Sequence, residues 1–445
     1  MNINPPRNAI EICRTLHDAG FESYLVGGAV RDSLIGRNPN DWDIATNALP
    51  IQVASCFGKV IETGIEHGTV TVIIDGDGFE VTTYRIDGDY SDGRRPDSVL
   101  FSNSITEDLA RRDFTMNAIA YDPLSGDTVD PFFGVRDIEN RIVRAVGNPD
   151  DRLREDTLRA LRAVRFASVL EFDIDRPTLD AISRCKLSVS AERIRVELVK
   201  GLCSVKPSRF LVILRRFGLL EQIIPELLPA FGCGQNKYHE HDVWCHTLLV
   251  TDATPNTERL RLAGMLHDVS KPSVKGAHPV TGEATFYEHE KVGADVTDAI
   301  LRRLKFSNED RERIVSLVRH HLVPELKSPA SVRRWVRKVG TDNVADIIAL
   351  AKADHIGKGN PACIGMTAGY LDNLAERIST MREESTMVTD TVQLAVNGSD
   401  VMLALGIGPG PMVGAKLREM LELVIDDPSL NERDMLLSIF GTHNQ

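Results

Sequence analysis

Residues 25–46 read LVGGAVRDSLIGRNPNDWDIAT. An apolar strand runs into Gly27 and Gly28, a short helix follows, and a second short strand carries Asp41 and Asp43. Bare amides at a helix N-terminus leave both their donors and the helix dipole open to an anion. The spacing is not the G-x-G-x-x-G dinucleotide fingerprint, so a nicotinamide cofactor is not expected. A turn that needs positive φ reads the same way, so the two glycines alone decide nothing. Alternate residues of a strand share a face, which aims Asp41 and Asp43 at one spot. Two carboxylates there repel unless a cation lies between them, and their hard oxygens suit Mg2+. Phosphoryl and nucleotidyl transfer by paired ions ~3.5–4 Å apart needs such a pair. Glu80, in FEVTTYR, is a candidate third carboxylate, although an exposed strand residue would read alike.

Working outward, residues 1 to about 145 alternate short Val-, Ile-, Thr- and Tyr-rich runs (FESYLVGG, GTVTVIID, FEVTTYRI, FTMNAIAYDP) with helices. From residue 150 the strand signal stops. LREDTLRALRAVRFASVL carries Leu158, Leu161, Ala163 and Val164 at helical spacing, and that period continues through most of the remainder. The changes of period suggest a head over residues 1–146, a helical neck over 147–230, a third domain over 231–380 and a helical tail over 381–445.

The chain has 445 residues, 42% hydrophobic and 26% charged, which is ordinary for a globular protein. No apolar run approaches the ~20 residues that span a bilayer. The N-terminus lacks the basic-then-apolar pattern of a signal peptide. Seven scattered cysteines without a CxxC pair suit a reducing compartment, so the expected location is the cytoplasm. A net charge of −12 argues against holding nucleic acid by bulk charge, yet arginines crowd at 111–112 and 152–165.

The order GGAVRD, DWD, RRDFTMNA, EDTLRALRAVRF resembles the class II tRNA nucleotidyltransferase and bacterial poly(A) polymerase family. The resemblance implies an α/β head of polymerase-β-like nucleotidyltransferase fold, followed by an all-α body. It implies that Gly27, Gly28, Arg31 and Asp32 form the first motif and that Asp41 and Asp43 bind the catalytic Mg2+, with Glu80 a candidate beside them. Arg112 and Asp113 would contact the sugar and phosphates of the nucleotide, joined by Arg162 and Arg165. AERIRVEL, with Glu192, Arg193, Arg195 and Glu197, would brace the neck helices. Expected partners are the tRNA 3′ end, with CTP and ATP as substrates.

Asp156 and Arg159 are three apart on an expected helix, and so on one face. An acceptor beside a donor can imitate the edge of a complementary base. Cytosine and adenine share an amine beside a ring nitrogen, whereas guanine and uracil would leave buried groups unpaired at ~1–3 kcal/mol each. The resemblance agrees, giving these two residues the role of an amino-acid template. An i,i+3 surface pair is the plain alternative. The Gly- and Asp-rich stretch 86–101 reads as a loop near the site. In the family a loop here helps the switch from C to A addition, and CC-adding members have it shortened; Asp92, Arg94 and Arg95 keep it full here.

Residues 239–355 hold nine of the twelve histidines. His246, His267, Asp268 and Asp354 resemble the core ligands of an HD phosphohydrolase domain, with Ser270 replacing the glycine of HDxGKP, and His289 and His320 could complete a second metal. Such clusters bind divalent transition metals: Mn, Ni, Co or Fe. The expected activity is addition of CCA to the tRNA 3′ end. An A-adding specialist, a poly(A) polymerase and an HD phosphohydrolase or regulator whose head merely binds nucleotide remain alternatives. Oligomeric state is not legible.

Overall fold

The computed structural model describes residues 3–39, 41–65, 68–87, 99–359 and 361–441. The chain divides into two compact units, Met1–Pro225 and Glu226–Gln445. Asp92, Arg94 and Arg95 lie outside the described residues.

The first unit opens with nine strands: β1 Ser23–Val26, β2 Asp43–Thr46, β3 Val60–Gly64, β4 Thr69–Ile74, β5 Asp77–Thr83, β6 Arg85–Asp87, β7 Val99–Phe101, β8 Ala120–Tyr121 and β9 Thr128–Val129. Seven form one sheet in the order β3-β4-β5-β2-β1-β8-β9. The alternation expected of a sheet with one covered face is plain in β4 and β5, which bury Val70, Val72, Phe79 and Val81. Leu25, Val26, Ile44 and Ala45 close the centre of the sheet. β6 and β7 pair antiparallel with each other, outside that sheet.

Two pairings position the chemistry. β1 and β2 run antiparallel with Val26 opposite Asp43, so Asp43 lies beside the glycine turn that follows Val26. β2 and β5 run parallel with Ile44 opposite Val81. One residue earlier on each strand stand Asp43 and Glu80, which therefore share a face.

Three expectations need correction. FTMNAIAYDP is not one strand: Thr115–Asn117 is a single 3-10 turn, Phe114 before it makes only an isolated bridge to Ala145, and the strand proper is Ala120–Tyr121. Short strands also persist past residue 150, at Asp173–Ile174, Gly276–Ala277 and Ala284–Thr285. The helix expected through EDTLRAL is two helices, Pro149–Glu155 and Leu158–Val169. Asp156 stands in the break, with an extended backbone at φ −147° and ψ 104°. Nothing in RLREDTLRAL is a helix breaker. The break is tertiary: the Arg193 guanidinium holds the Asp156 carboxylate, and the Thr157 hydroxyl accepts from the Ser188 amide at 2.9 Å.

The second unit is helical. Val243–Ala253 packs on Val344–Gly357, and Asn308–His320 packs on both Glu258–Leu266 and His289–Arg303. Beyond these, Val401, Met420, Leu421, Val424, Ile425 and Leu436 form a separate apolar cluster. No described helix is long and apolar enough to cross a membrane.

Candidate active site and candidate metal centre

Gly27 has φ +76°, a conformation that favours glycine. A Cβ there would stand 3.1 Å from Arg112 Nη1 and 3.6 Å from Asp43 Oδ2. The absent side chain thus lets an arginine and a carboxylate close on the backbone together. Around this turn lies a cleft of about 460 Å³. Its lining holds most of the expected residues: Gly27, Gly28, Arg31, Asp43, Arg112 and Asp113 from the head, and Asp156, Arg159, Arg162 and Arg165 from the neck. Arg111, Asn117, Phe166 and Arg193 join them.

Asp41 and Asp43 are exposed on either side of buried Trp42, but the strand begins only at Asp43, so Asp41 precedes the strand on which the sequence reading placed it. The Asp43 carboxyl is open at the mouth yet ringed by protein. That partial desolvation raises its pKa; Glu80 and Asp41 add to the rise, and Arg112 opposes it. Asp41, Glu80 and Asp32 stand outside the cleft lining itself. Asp32 braces instead, accepting from Arg31 Nε at 2.9 Å, while Arg31 Nη1 donates to Asn117 Oδ1 at 2.6 Å.

Asp113 differs from expectation. Its Oδ1 accepts from the Phe114 amide and from Asn117 Nδ2, and its Oδ2 accepts from both Nε and Nη2 of Arg162 at 2.9 and 2.7 Å. The carboxylate is engaged internally and serves to anchor Arg162. Burial alone would raise its pKa, but Arg162 and the Asn117 hydrogen bond reverse this and hold it at about 2. Buried Asp108, unmarked in the sequence reading, does the same for Arg111 and Arg112, accepting at 2.8 and 3.2 Å. Those two arginines keep its pKa low against the effect of burial. Buried Glu197 anchors Arg165. Asp156 accepts from Arg193 Nη2 at 2.7 Å and Nη1 at 3.3 Å. Arg159 Nη1 donates to the Arg152 carbonyl at 2.9 Å and Nη2 to the Arg111 carbonyl at 3.2 Å. Asp156 and Arg159 share the cleft although they do not share a helix.

The second unit gathers His246, His267, Asp268 and Asp354, whose ligand atoms all lie within 4.8 Å of one another. A second group among the described residues is Asp268, His289 and His321. His321 therefore replaces the expected His320. The helix Asn308–His320 ends there, and one residue of rotation turns His320 away, to where Lys338 and Arg319 lower its pKa along with partial burial. Three imidazoles are set alike: Nδ1 of His267, His289 and His321 donates to the carbonyl three residues back, at 2.8, 2.8 and 2.7 Å. With the ring neutral, each Nε2 carries a lone pair, the second-sphere pattern of metal-ligating histidine. Against burial, Asp268 and Asp354 raise the His267 pKa to about 9, so that ring holds a proton which a metal would displace. The inward nitrogens meet: His246 Nε2 lies 3.0 Å from Asp354 and 3.2 Å from Asp268. Neither oxygen of buried Asp268 accepts a well-directed hydrogen bond, although Lys271 Nζ stands 2.7 Å away. Burial first, then His267, brings His321 down to about 3, so its ring is neutral. Ser270, in the place of the expected glycine, donates its hydroxyl to the His289 carbonyl at 2.7 Å and ties two ligand segments together.

Three family models match in chain order: the poly A polymerase head domain over residues 23–144, the probable RNA and SrmB-binding site of polymerase A over 171–231, and the HD domain over 238–357. The CCA-adding enzyme of Pediococcus pentosaceus is 34% identical over 436 residues, covering 97% of this chain and 96% of that protein. The chain belongs to the CCA-adding enzyme family. The CCA-adding enzyme of Ligilactobacillus salivarius is 32% identical, covering 97% of this chain and 95% of the relative. The crystal structure of the Bacillus stearothermophilus CCA-adding enzyme in complex with CTP matches with a TM-score of 0.72 at 29% identity, covering 99% of this chain and 98% of that one. The Thermotoga maritima CCA-adding enzyme complexed with tRNA shares the fold, at 18% identity and a TM-score of 0.53.

Proposed function

We propose that the chain is a template-independent tRNA nucleotidyltransferase that adds C, C and A to the tRNA 3′ end from CTP and ATP. The observation that carries this reading is one cleft lined by the glycine turn, Asp43, the arginine cluster and the Asp156–Arg159 pair. Family membership supports it over its whole length.

Asp41 and Asp43, with Glu80 beside them, would hold Mg2+. The donor set fits: adjacent carboxylates of like charge, hard oxygens throughout, and a raised Asp43 pKa that a cation would relieve. When bound, the metal supplies charge neutralisation at the phosphates and a more acidic attacking hydroxyl. The chain's own residues do the rest. The arginine forks cradle the triphosphate, each held in plane by a buried carboxylate or carbonyl. Asp156 accepts from the exocyclic amine of the incoming base and Arg159 donates to its ring nitrogen, and Arg193 keeps the Asp156 carboxylate turned toward the cleft. The tRNA 3′ oxygen then displaces pyrophosphate at the α-phosphorus.

The second unit supports a separate activity. The imidazoles held by backbone carbonyls, with their Nε2 atoms facing two buried carboxylates, favour a divalent transition metal and phosphohydrolase chemistry there. We assign the domains as head 1–146, neck 147–230, HD domain 231–380 and tail 381–445, and the location as the cytoplasm.

The test is a tRNA lacking all three terminal nucleotides, offered CTP and ATP together with Mg2+. Extension by CCA is expected, with only a trace remaining in Asp41→Ala or Asp43→Ala proteins that still fold. Extension by one A only on tRNA already ending in CC would mark an A-adding specialist. A long A tail on unrelated RNA would mark a poly(A) polymerase.

A further inference from the structure

Phe166, on the helix Leu158–Val169, lines the head cleft and is 4% exposed. Three guanidinium groups gather on its ring. Arg165 lies 3.9 Å from the ring centroid, Arg31 4.8 Å and Arg162 5.5 Å. Arg31 comes from the helix after the glycine turn, and the other two from Phe166's own helix. Phe114 meets the ring edge-to-face, at 5.7 Å between centroids and 81° between planes, which fixes the plane of Phe166.

Each arginine has a carboxylate on part of its fork: Asp32 for Arg31, Asp113 for Arg162, Glu197 for Arg165. Those bonds hold one edge of each guanidinium while its central carbon stays within 5.5 Å of the ring centroid. A guanidinium packed on an aromatic face keeps its N–H donors directed outward in its own plane. Only Nε of Arg165 is engaged; its two terminal nitrogens have no hydrogen-bond partner among the described residues. Desolvation, with Arg162 and Arg31 nearby, pulls the Arg165 pKa down against Glu197. Asp113 and Glu197 hold Arg162 in its charged form, so the stress falls on Arg165, whose open terminal nitrogens an anion would satisfy. The negative face of one ring offsets part of that stress while the site is empty of anion.

We propose that Phe166 is a positioning residue for the phosphates of the incoming nucleotide, its ring setting the planes of Arg31, Arg162 and Arg165 so that they stand ready for a triphosphate. The inference rests on the nucleotidyltransferase reading above and extends it to a side chain that touches neither base nor reacting atoms.

The test separates ring charge from ring shape. Phe166→pentafluorophenylalanine in the full chain keeps the planar ring with a modest gain in bulk and reverses the charge of the ring face; Phe166→Leu removes the ring. Binding of CTP and ATP is compared with binding of CMP and AMP, and KM with kcat in tRNA extension, after confirming unchanged thermal unfolding of the fluorinated protein. The expected result is about tenfold weaker CTP and ATP binding in the fluorinated protein, with CMP and AMP little affected, KM raised and kcat nearly unchanged. Fewer fluorines should give intermediate losses. A fluorinated protein that binds CTP and ATP like wild type overturns the proposal, whatever Phe166→Leu does, because packing alone would then explain the ring. A wild-type protein that binds CTP and ATP no more tightly than CMP and AMP would overturn the nucleotidyltransferase reading as well.

Discussion

Asp113 stands at the end of an RRD triplet that looks, on paper, like three residues reaching for a nucleotide. In the fold only its neighbours reach; Asp113 is an internal anchor whose partner, Arg162, lies 49 residues further along. The consequence is a dependence on pH with a definite sign. Its pKa falls from an ordinary 3.8 to about 2 on folding, so its stabilisation is complete above about pH 4 and is lost as pH falls through about 2. The shift corresponds to on the order of 2 kcal/mol at neutral pH. Asp113→Asn should therefore unfold more easily than wild type at pH 6 by roughly that amount, and the gap should shrink toward pH 2. Calorimetric scans of both proteins across that range decide it, since a gap that stays constant with pH would assign the loss to packing. At this scale the sequence marked the charged residues well. It did not reveal their pairing, because Asp108, Asn117 and Phe166 were not marked and Glu197 was marked only as a neck brace, and all four acquire their partners through long-range contacts. His321 was missed for a smaller reason: in the pair His320–His321, the phase of a helix end selects which ring faces inward.

Among the elements, the most legible was the one with the strictest local chemistry. A strand into Gly-Gly, a helix and a second strand leave few alternatives, and β1 and the positive-φ turn stand where residues 25–46 place them, while β2 starts at Asp43 and leaves Asp41 just ahead of it. The least legible was the neck helix, which breaks at Asp156 although Asp156 and Thr157 are only weak helix formers and not breakers. Propensity is worth tenths of a kcal/mol per residue, so a bidentate ion pair and a long-range hydrogen bond can override it locally. The break has a functional reading. It swings Asp156 out of helical phase with Arg159 while keeping both on the cleft, and Arg193 is what holds it there. Removing that brace should disturb base choice before chemistry. We expect Arg193→Ala to lose about tenfold in selectivity for CTP and ATP over UTP and GTP, the effect of a misdirected hydrogen bond in a half-buried site. Single-nucleotide incorporation on tRNA ending before CCA or in CC measures this, with Asp156→Ala as the upper limit. Wild-type selectivity in an active Arg193→Ala protein would leave the pair a brace for the fold alone.

For the whole molecule, the two candidate sites belong to different compact units, each with its own core and its own set of charged anchors. The cleft residues all fall before Pro225, and both histidine–aspartate groups fall after Glu226. No ligand of one group is an anchor of the other. His267 and Asp268 are nonetheless deeply buried, and Asp268 is shared by both groups of candidate ligands, so their removal should empty the whole centre. Two risks attend the experiment. Replacing both with alanine leaves a cavity and frees Lys271, whose ammonium now faces Asp268, so local stability should fall by a few kcal/mol, of the order seen for a broken buried pair, ~3–5 kcal/mol. His267→Asn with Asp268→Asn is the gentler second pair, since it keeps volume and polarity. The expected outcome for either is loss of bound transition metal by elemental analysis, loss of any phosphatase or phosphodiesterase activity, and CCA addition at the wild-type rate. Equal metal content in mutant and wild type would sink the centre. Metal loss accompanied by loss of CCA addition, in a protein whose first unit still unfolds as in wild type, would show that the two sites are coupled and that the division of labour drawn from the two-unit fold is wrong.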